Sequence, residues 1–112
     1  MKMEIKEAYN AVVISLIGEI IGGRKNAEFS EALHKFLAEG KKNVVVDLAE
    51  TTYMDSSGIG MLIGGYTTMK NGGGALKLAR LTDKIESLLV ITKLNSIFES
   101  FETLDAALKS FS

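Results

Sequence analysis

The stretch Asn43-Val-Val-Val-Asp-Leu48, followed a few residues later by Asp55-Ser-Ser-Gly-Ile-Gly60, decides the fold class. Consecutive valines are β-branched and favour a buried strand. Asp and Ser are preferred immediately before a helix, and the apolar residues beyond them recur at helical spacing. We therefore predict a strand that leads, through a connection at Thr51–Met54, into a helix from Ser57 to about Asn71, the repeating unit of an α/β sheet.

Two strands are predicted before this segment. Charged and apolar residues alternate over residues 2–6, which is the pattern of a strand with one face in water. Residues 11–18 are richer in β-branched side chains and predict a more buried strand. Because only a short turn at Tyr9-Asn10 separates them, the two strands are expected to pair as an antiparallel hairpin.

The segment between the hairpin and Asn43 has the pattern of an amphipathic helix. Asn26 is the expected N-cap, Glu28 falls in the first turn, and Gly40 ends the helix in a left-handed conformation. The apolar stripe of this helix has the spacing i, i+3, i+4, i+7, i+8 and consists of Phe29, Ala32, Leu33, Phe36 and Leu37.

The remaining elements follow the second predicted helix. The three glycines 72–74 stop that helix, and residues 75–80 form the next strand. Thr82 caps a third helix, Ile97-Phe98 form a short last strand, and residues 103–111 make a final helix.

The predicted order is β-β-α-β-α-β-α-(β)-α. Strands separated by helices pair in parallel through right-handed crossovers. We therefore expect an α/β fold in one domain over residues 1–112. It has a mixed, mostly parallel sheet with an N-terminal antiparallel hairpin and helices packed on it.

Composition excludes several classes of function. The 112 residues carry a formal net charge of −1, which gives no electrostatic attraction to nucleic acid or to an anionic membrane. Without cysteine there is no disulfide framework, thiolate zinc site or cysteine nucleophile, and one histidine, His34, cannot build a multi-histidine metal site. The apolar stretches are too short to span a membrane, and the charged N-terminal residues do not resemble a signal peptide, so a cytoplasmic protein is expected.

Enzyme motifs are also missing from the sequence. Residues 58–63 fail the dinucleotide-binding fingerprint because Ile63 stands where its third glycine belongs. There is no Walker A lysine motif, and no G-x-S-x-G motif surrounds Ser56 or Ser57. These absences predict a protein that is not an enzyme, with no catalytic residue and no metal of its own.

Three features remain as candidates for function, and the first is the strand-to-helix junction at Asp55-Ser56. Ligand sites in open α/β sheets lie beyond the carboxyl ends of strands, and the first helical turn presents unpaired N–H groups. A hydroxyl placed there would be exposed. The competing interpretation is that Asp55 and Ser56 only cap the helix.

The second feature is the excess of glycine in the predicted second helix, at positions 58, 60, 64 and 65. Each glycine costs about 1 kcal/mol relative to alanine in a helix interior. Either tight packing on the sheet or a bare surface for another molecule would explain them. The predicted inward face leaves Met61 exposed and consists of Ile59, Leu62, Ile63, Tyr66 and Met69.

The third feature is the glycine-rich loop after the second strand, residues 18–25, which also joins a strand to a helix. It could lie beside the Asp55–Gly58 turn, because the carboxyl ends of parallel strands meet at one edge. The adjacent Ile20 and Ile21 are unusual there. Either both fold back into the core, or one is offered to a partner.

The hydrophobic strand 44–48, the segment Tyr53-Met-Asp-Ser-Ser-Gly-Ile-Gly60 and the strand entry Gly72-Gly-Gly-Ala-Leu-Lys-Leu78 resemble a STAS domain, and more narrowly the bacterial anti-sigma factor antagonists. The resemblance extends from the N-terminal hairpin to the closing helix. It implies a partner switch in which a serine kinase that is itself the anti-sigma factor phosphorylates Ser56, with Ser57 as a neighbouring, less expected acceptor.

The resemblance further implies that the unmodified protein binds the kinase and frees the sigma factor. The phosphorylated form does not bind, and a PP2C-type phosphatase resets it. Nucleotide and magnesium would belong to the kinase, so this chain would need no cofactor. Besides the phosphorylated Ser56, the expected partner contacts are Ile21, Gly22, Gly23, Arg24, Asp55, Ser57, Gly58, Gly60 and Met61.

One residue departs from the family pattern. Members often carry an acidic residue where this chain has Ile21. This departure keeps a second interpretation open, in which the chain is a STAS scaffold or ligand-sensing module that recruits protein partners without phosphorylation.

Overall fold

The computed structural model describes residues 1–111, which form one layer of strands with helices on both faces. In chain order the elements are β1 (Lys2–Glu7), β2 (Val12–Ile20), α1 (Arg24–Ala38), β3 (Asn43–Asp47), β4 (Thr51–Met54), α2 (Ser56–Asn71), β5 (Ala75–Ala79), α3 (Asp83–Ile91), a 3₁₀ turn (Leu94–Ser96), β6 (Ser100–Phe101) and α4 (Leu104–Lys109).

The strands lie side by side in the order β1-β2-β3-β5-β6. β1 is antiparallel to β2, and the neighbours from β2 to β6 are parallel. Besides β1, the long strand β2 has two parallel partners, because its first half pairs with β3 from Val12↔Val44 and its end pairs with β4 at Ile20↔Met54. The predicted α/β class, with a mostly parallel sheet and an N-terminal hairpin, is confirmed.

Alternation along the strands divides the core between the two faces of the sheet. In β3, Val44 and Val46 face the main core together with Phe29, Leu33 and Leu62 from the helices. On the opposite face a smaller cluster joins Ala107 of α4 to Ala11, Val13, Val45 and Ala79. Burial of each large apolar side chain stabilises the fold by about 1.5–3 kcal/mol.

Several predicted boundaries are wrong. Asn26 is not an N-cap, because α1 begins at Arg24 after Gly23, and Glu28 therefore lies beyond the first turn. Thr51–Met54, treated as a connection, is strand β4, since it pairs with the end of β2.

The last strand is displaced from its predicted position. It lies at Ser100–Phe101, where it pairs with the end of β5, rather than at Ile97-Phe98. The apolar character of Phe98 reflects burial in the main core.

The predicted C-terminal end of α1 and the predicted N-cap of α3 are confirmed. Gly40 has φ +79° and follows α1, and the N–H groups of Gly40 and Lys41 donate to the carbonyls of Leu37 and Phe36. This pair of bonds is a Schellman motif, which glycine favours because it adopts positive φ at no steric cost. Thr82 caps α3 by accepting from the N–H of Ile85 at 3.3 Å.

An ion pair secures the turn between β3 and β4. Asp47, 4% exposed, accepts from Arg80 Nε at 3.0 Å and also from Arg80 Nη2. The hydrogen bond to the carboxylate raises the pKa of the Arg80 guanidinium above its ordinary value. Asp47 Oδ1 also accepts from the N–H of Ala49 at 3.2 Å, so Asp47 stabilises the turn that leads towards α2.

Candidate functional site

Two adjacent residues at the start of α2 have different roles: one caps the helix, and the other has an exposed side chain. Asp55 is the N-cap, and its Oδ1 accepts from the N–H of Gly58 at 3.0 Å. Ser56 is the first helical residue, is exposed, and makes no side-chain hydrogen bond to any residue that the structure describes. Asp55 therefore does the capping, and the Ser56 hydroxyl is available to another molecule.

The same helical turn offers free hydrogen-bond donors. The N–H of Gly58 is taken by the Asp55 side chain and that of Ile59 by the Asp55 carbonyl at 3.0 Å. Within residues 1–111, the N–H groups of Ser56 and Ser57 have no acceptor. Unpaired N–H groups and the positive end of the helix dipole favour a negative group, so a phosphate on Ser56 is compatible with the fold.

The four glycines of α2 divide into two pairs with different environments. A Cβ on Gly58 would lie 2.5 Å from the Ile20 carbonyl oxygen, and one on Gly65 would lie 2.7 Å from the Phe29 ring. A Cβ on Gly60 or Gly64 would meet nothing within 4 Å. Tight packing therefore explains Gly58 and Gly65, whereas Gly60 and Gly64 lie on a bare surface.

The bare pair belongs to a continuous exposed strip, which we call the open face of α2. Gly60 and Gly64 are one helical turn apart, and the face begins at the exposed hydroxyl of Ser56. Ile63, 38% exposed, adds an apolar side chain to it. The open face of α2 consists of Ser56, Gly60, Ile63, Gly64 and Thr67.

Two of the predicted partner contacts are excluded from this face. Met61 is only 7% exposed and lies in the main core, so the expectation that it is exposed is wrong. Gly58 is buried against the end of β2 and the Met54 side chain. The reason is that α2 is rotated relative to the predicted stripe, so that its inward residues are Gly58, Met61, Leu62, Gly65 and Met69.

The loop from Ile21 to Arg24 lies against the start of α2, as the sequence suggested. Ile20 is 1% exposed and Ile21 is 55% exposed, so one isoleucine enters the core and the other faces solvent. Gly22 has φ +95°, and a Cβ there would lie 3.0 Å from Ser57 Cβ. Gly23 and Arg24 are exposed and continue the loop into α1.

Sequence reasoning missed the role of Asn26. Its Nδ2 donates to the Ser57 carbonyl oxygen at 3.3 Å and so links the first turn of α1 to that of α2. In the sequence, an asparagine close to a helix start indicates a cap. Only the tertiary structure shows that its side chain bonds to a residue 31 positions further along the chain.

Alanine substitutions at Asp55 and at Ser56 should differ in their effect on stability, because only Asp55 caps α2. Asp55→Ala removes the N-cap bond and is expected to lower the free energy of unfolding by about 1 kcal/mol. Ser56→Ala removes no hydrogen bond and should change it by less than about 0.5 kcal/mol. Urea denaturation followed by circular dichroism measures both, and equal losses would contradict the assignment of the cap.

Neither a metal centre nor a membrane span is evident in residues 1–111. No group of three or more His, Asp or Glu side chains is arranged to hold a metal ion there. Within the same range, the helices are too short or too polar to cross a bilayer.

Comparison with known proteins identifies the family. The STAS domain family model matches residues 2–107. The anti-sigma-B factor antagonist of Bacillus subtilis (strain 168) is 29% identical over 99 residues, which cover 88% of this chain and 89% of that protein.

Solved structures have the same fold at lower sequence identity. An anti-sigma factor antagonist from Mycobacterium paratuberculosis aligns with a TM-score of 0.81 at 21% identity, covering 98% of this chain and 92% of that one. The Bacillus protein SpoIIAA in its phosphorylated form aligns at 0.77 and 17% identity, covering 99% of this chain and 100% of that one. With this fold and a family match over nearly its whole length, the chain belongs to the STAS domain family.

Proposed function

We propose that the protein is an anti-sigma factor antagonist controlled by phosphorylation of Ser56. Its unmodified form binds an anti-sigma factor serine kinase in the cytoplasm, and the bound kinase releases its sigma factor. Phosphorylation of Ser56 ends the binding, and a PP2C-type phosphatase restores it. The kinase supplies the nucleotide, the magnesium and the catalytic base, so this chain contributes only the acceptor hydroxyl and the docking surface.

The observation that carries this proposal is the exposed, unbonded hydroxyl of Ser56 at the edge of the open face of α2. An incoming kinase needs such a hydroxyl for phosphoryl transfer. It also needs a surface that allows close approach, and no side chain projects from Gly60 or Gly64. The names of the relatives support the same function, because the Bacillus subtilis protein is an anti-sigma-B factor antagonist.

Phosphorylation is suited to act on docking without unfolding the chain. A phosphoserine adds about −1.5 to −2 charge and three acceptor oxygens. The free N–H groups of Ser56 and Ser57 would tolerate the charge inside the protein. A partner packed on the open face would have to bury it beside the carboxylate of Asp55, which costs desolvation energy and adds like-charge repulsion.

The fold of a relative is known in both phosphorylation states. SpoIIAA aligns with this chain at TM-scores of 0.74 in its unphosphorylated form and 0.77 in its phosphorylated form. We expect the present chain likewise to keep its fold when it is phosphorylated.

Phosphorylation mapping tests the site. Candidate anti-sigma serine kinases from the same genome would be incubated with the protein and Mg·ATP, and the product mapped by mass spectrometry. We expect one phosphate, on Ser56, in the wild type, and none in Ser56→Ala. Ser57→Ala is the matched control and should still be modified. Phosphate on another residue, or none with any candidate kinase, would reject the proposal.

Ile21 supports a second candidate function, a STAS scaffold that recruits partners without phosphorylation. This residue stands where the family often has an acidic residue and is 55% exposed, so an apolar side chain is offered to solvent directly before Gly22, which packs against Ser57. If this alternative holds, partner binding will depend on Ile21 but will be unchanged by phosphate on Ser56. Affinity purification with wild type, Ile21→Ala and Ser56→Asp as baits distinguishes the two functions.

A further inference from the structure

Asn26 makes the side-chain contact that ties the start of α1 to the start of α2. Its Nδ2 donates to the carbonyl oxygen of Ser57 at 3.3 Å, and its own backbone N–H donates to the Gly23 carbonyl at 3.1 Å. The residue thus bonds both to the loop that carries Ile21 and to the segment that carries Ser56.

The side chain of Asn26 is only half satisfied. Its Oδ1 is buried without a hydrogen-bond partner in the described residues. An unpaired buried acceptor is unfavourable, and such atoms in folded proteins call for an explanation beyond stability. Alanine would avoid the unpaired oxygen, but it has no donor for the Ser57 carbonyl.

Close packing in the same place leaves the loop little freedom. Gly22 approaches Ser57 so closely that a Cβ would lie 3.0 Å from Ser57 Cβ and 3.3 Å from its Oγ. Asn26 Nδ2 lies 3.9 Å from that same Cβ position. Asn26, Gly22 and Ser57 therefore form one contact cluster, in which Gly22 and Ser57 directly follow the exposed Ile21 and Ser56 in sequence.

We propose that Asn26 is a positioning residue that holds the Ile21 loop in register with Ser56, so that a partner meets the two as one rigid surface. This proposal rests on the proposed function. It adds that the loop and the phosphoacceptor are coupled, and that the coupling passes through the Asn26–Ser57 hydrogen bond. The residue itself does not touch the reacting atoms.

Hydrogen exchange in the free protein tests the structural half of the proposal without any partner. Asn26→Asp keeps the side-chain shape but sets a carboxylate oxygen against the Ser57 carbonyl. We expect the two amides that donate to carbonyls at the ends of the loop, those of residue 26 (to Gly23) and Asp55 (to Ile20), to exchange about 3- to 10-fold faster, the range for one lost hydrogen bond, while core amides of β3 stay unchanged. Ser30→Ala, an exposed change one turn further along α1, is the matched control and should alter none of them. Unchanged loop exchange in Asn26→Asp would overturn the proposal.

A double-mutant cycle tests the functional half, with the kinase that modifies the wild type as the probe. Asn26→Ala, which removes the donor without adding charge, and Ile21→Ala are each expected to weaken kinase binding about 3- to 10-fold. If Asn26 acts by positioning Ile21, the double variant will bind nearly as well as Ile21→Ala alone. Multiplicative losses would mean that Asn26 acts independently of the loop, which overturns the proposal.

The two proposals fail in distinguishable ways. If Ser56 is not phosphorylated by any kinase, the proposed function fails, and the exchange measurement still decides whether Asn26 holds the loop. If Ser56 is phosphorylated but loop exchange does not respond to Asn26→Asp, only the coupling is wrong.

Discussion

Gly58→Ala is expected to lower the free energy of unfolding by about 1–3 kcal/mol, although alanine is the better helix former. The added Cβ would lie 2.5 Å from the backbone oxygen of Ile20 and 2.5 Å from Cγ of Met54. The Met54 side chain can move, but the Ile20 carbonyl belongs to strand β2 and accepts from the N–H of Asp55 at 3.2 Å. Relief of the clash would therefore shift the start of α2 away from the sheet.

Gly60→Ala is the matched control, two residues further along the same helix. Its Cβ would meet nothing within 4 Å, so the substitution should raise stability by up to about 1 kcal/mol through helix propensity alone. Urea denaturation with an unchanged m-value measures both differences. Equal effects of the two substitutions would show that α2 does not lie on the end of β2 as described.

Ser56→Asp is expected to weaken kinase binding by about 1–3 kcal/mol, which is roughly 5- to 150-fold in Kd. The added carboxylate stands at the edge of the open face of α2, next to the carboxylate of Asp55, and docking would remove both from water. Stability should not fall, because a negative side chain in the first turn of a helix is favourable. The variant therefore separates loss of binding from loss of fold.

Ser87→Asp provides the matched control for charge. Ser87 is exposed on α3, so the same substitution changes net charge equally but away from the open face of α2. Isothermal titration against the kinase should give wild-type affinity for Ser87→Asp. If both variants bind like the wild type, or lose affinity equally, the location of the charge does not control docking.

The sequence predicted those parts of the fold that depend on local patterns. The β-branched run at 43–48 forms β3, and the Gly40 and Thr82 signals lie at helix ends as expected. Asp55 caps α2 and leaves Ser56 exposed, so the exposure of the Ser56 hydroxyl was also predictable. The helix ends are stabilised by hydrogen bonds within a few residues and β3 by burial of its valines, and sequence patterns record both directly.

The orientation of α2 could not be predicted, because glycine carries no hydropathy signal. Leu62 and Met69 fit both the predicted stripe and the observed inward face. The choice between them depends on Gly58 and Gly65, which face the core because the sheet and α1 come too close for a side chain. Hydrophobicity alone places Ile59 and Ile63 on the inward face in their stead, and it therefore places Met61 on the surface.

Long-range pairing explains the other differences. The four residues of β4 form a strand because they pair with the end of β2, which is more than 30 positions earlier in sequence. The contact between Asn26 and Ser57 is equally non-local. Neither pairing leaves a periodic signal in its own segment, and the contact between the start of α1 and the start of α2 is therefore visible only in the folded chain.

The central claim is that one phosphate on Ser56 decides whether the partner can dock. The most direct measurement is a calorimetric titration of the kinase with unmodified protein and with protein phosphorylated on Ser56, as verified by mass spectrometry. The account predicts binding by the unmodified form, at least about tenfold weaker binding by the phosphorylated form, and recovery after phosphatase treatment. Equal affinity of the two forms would contradict it.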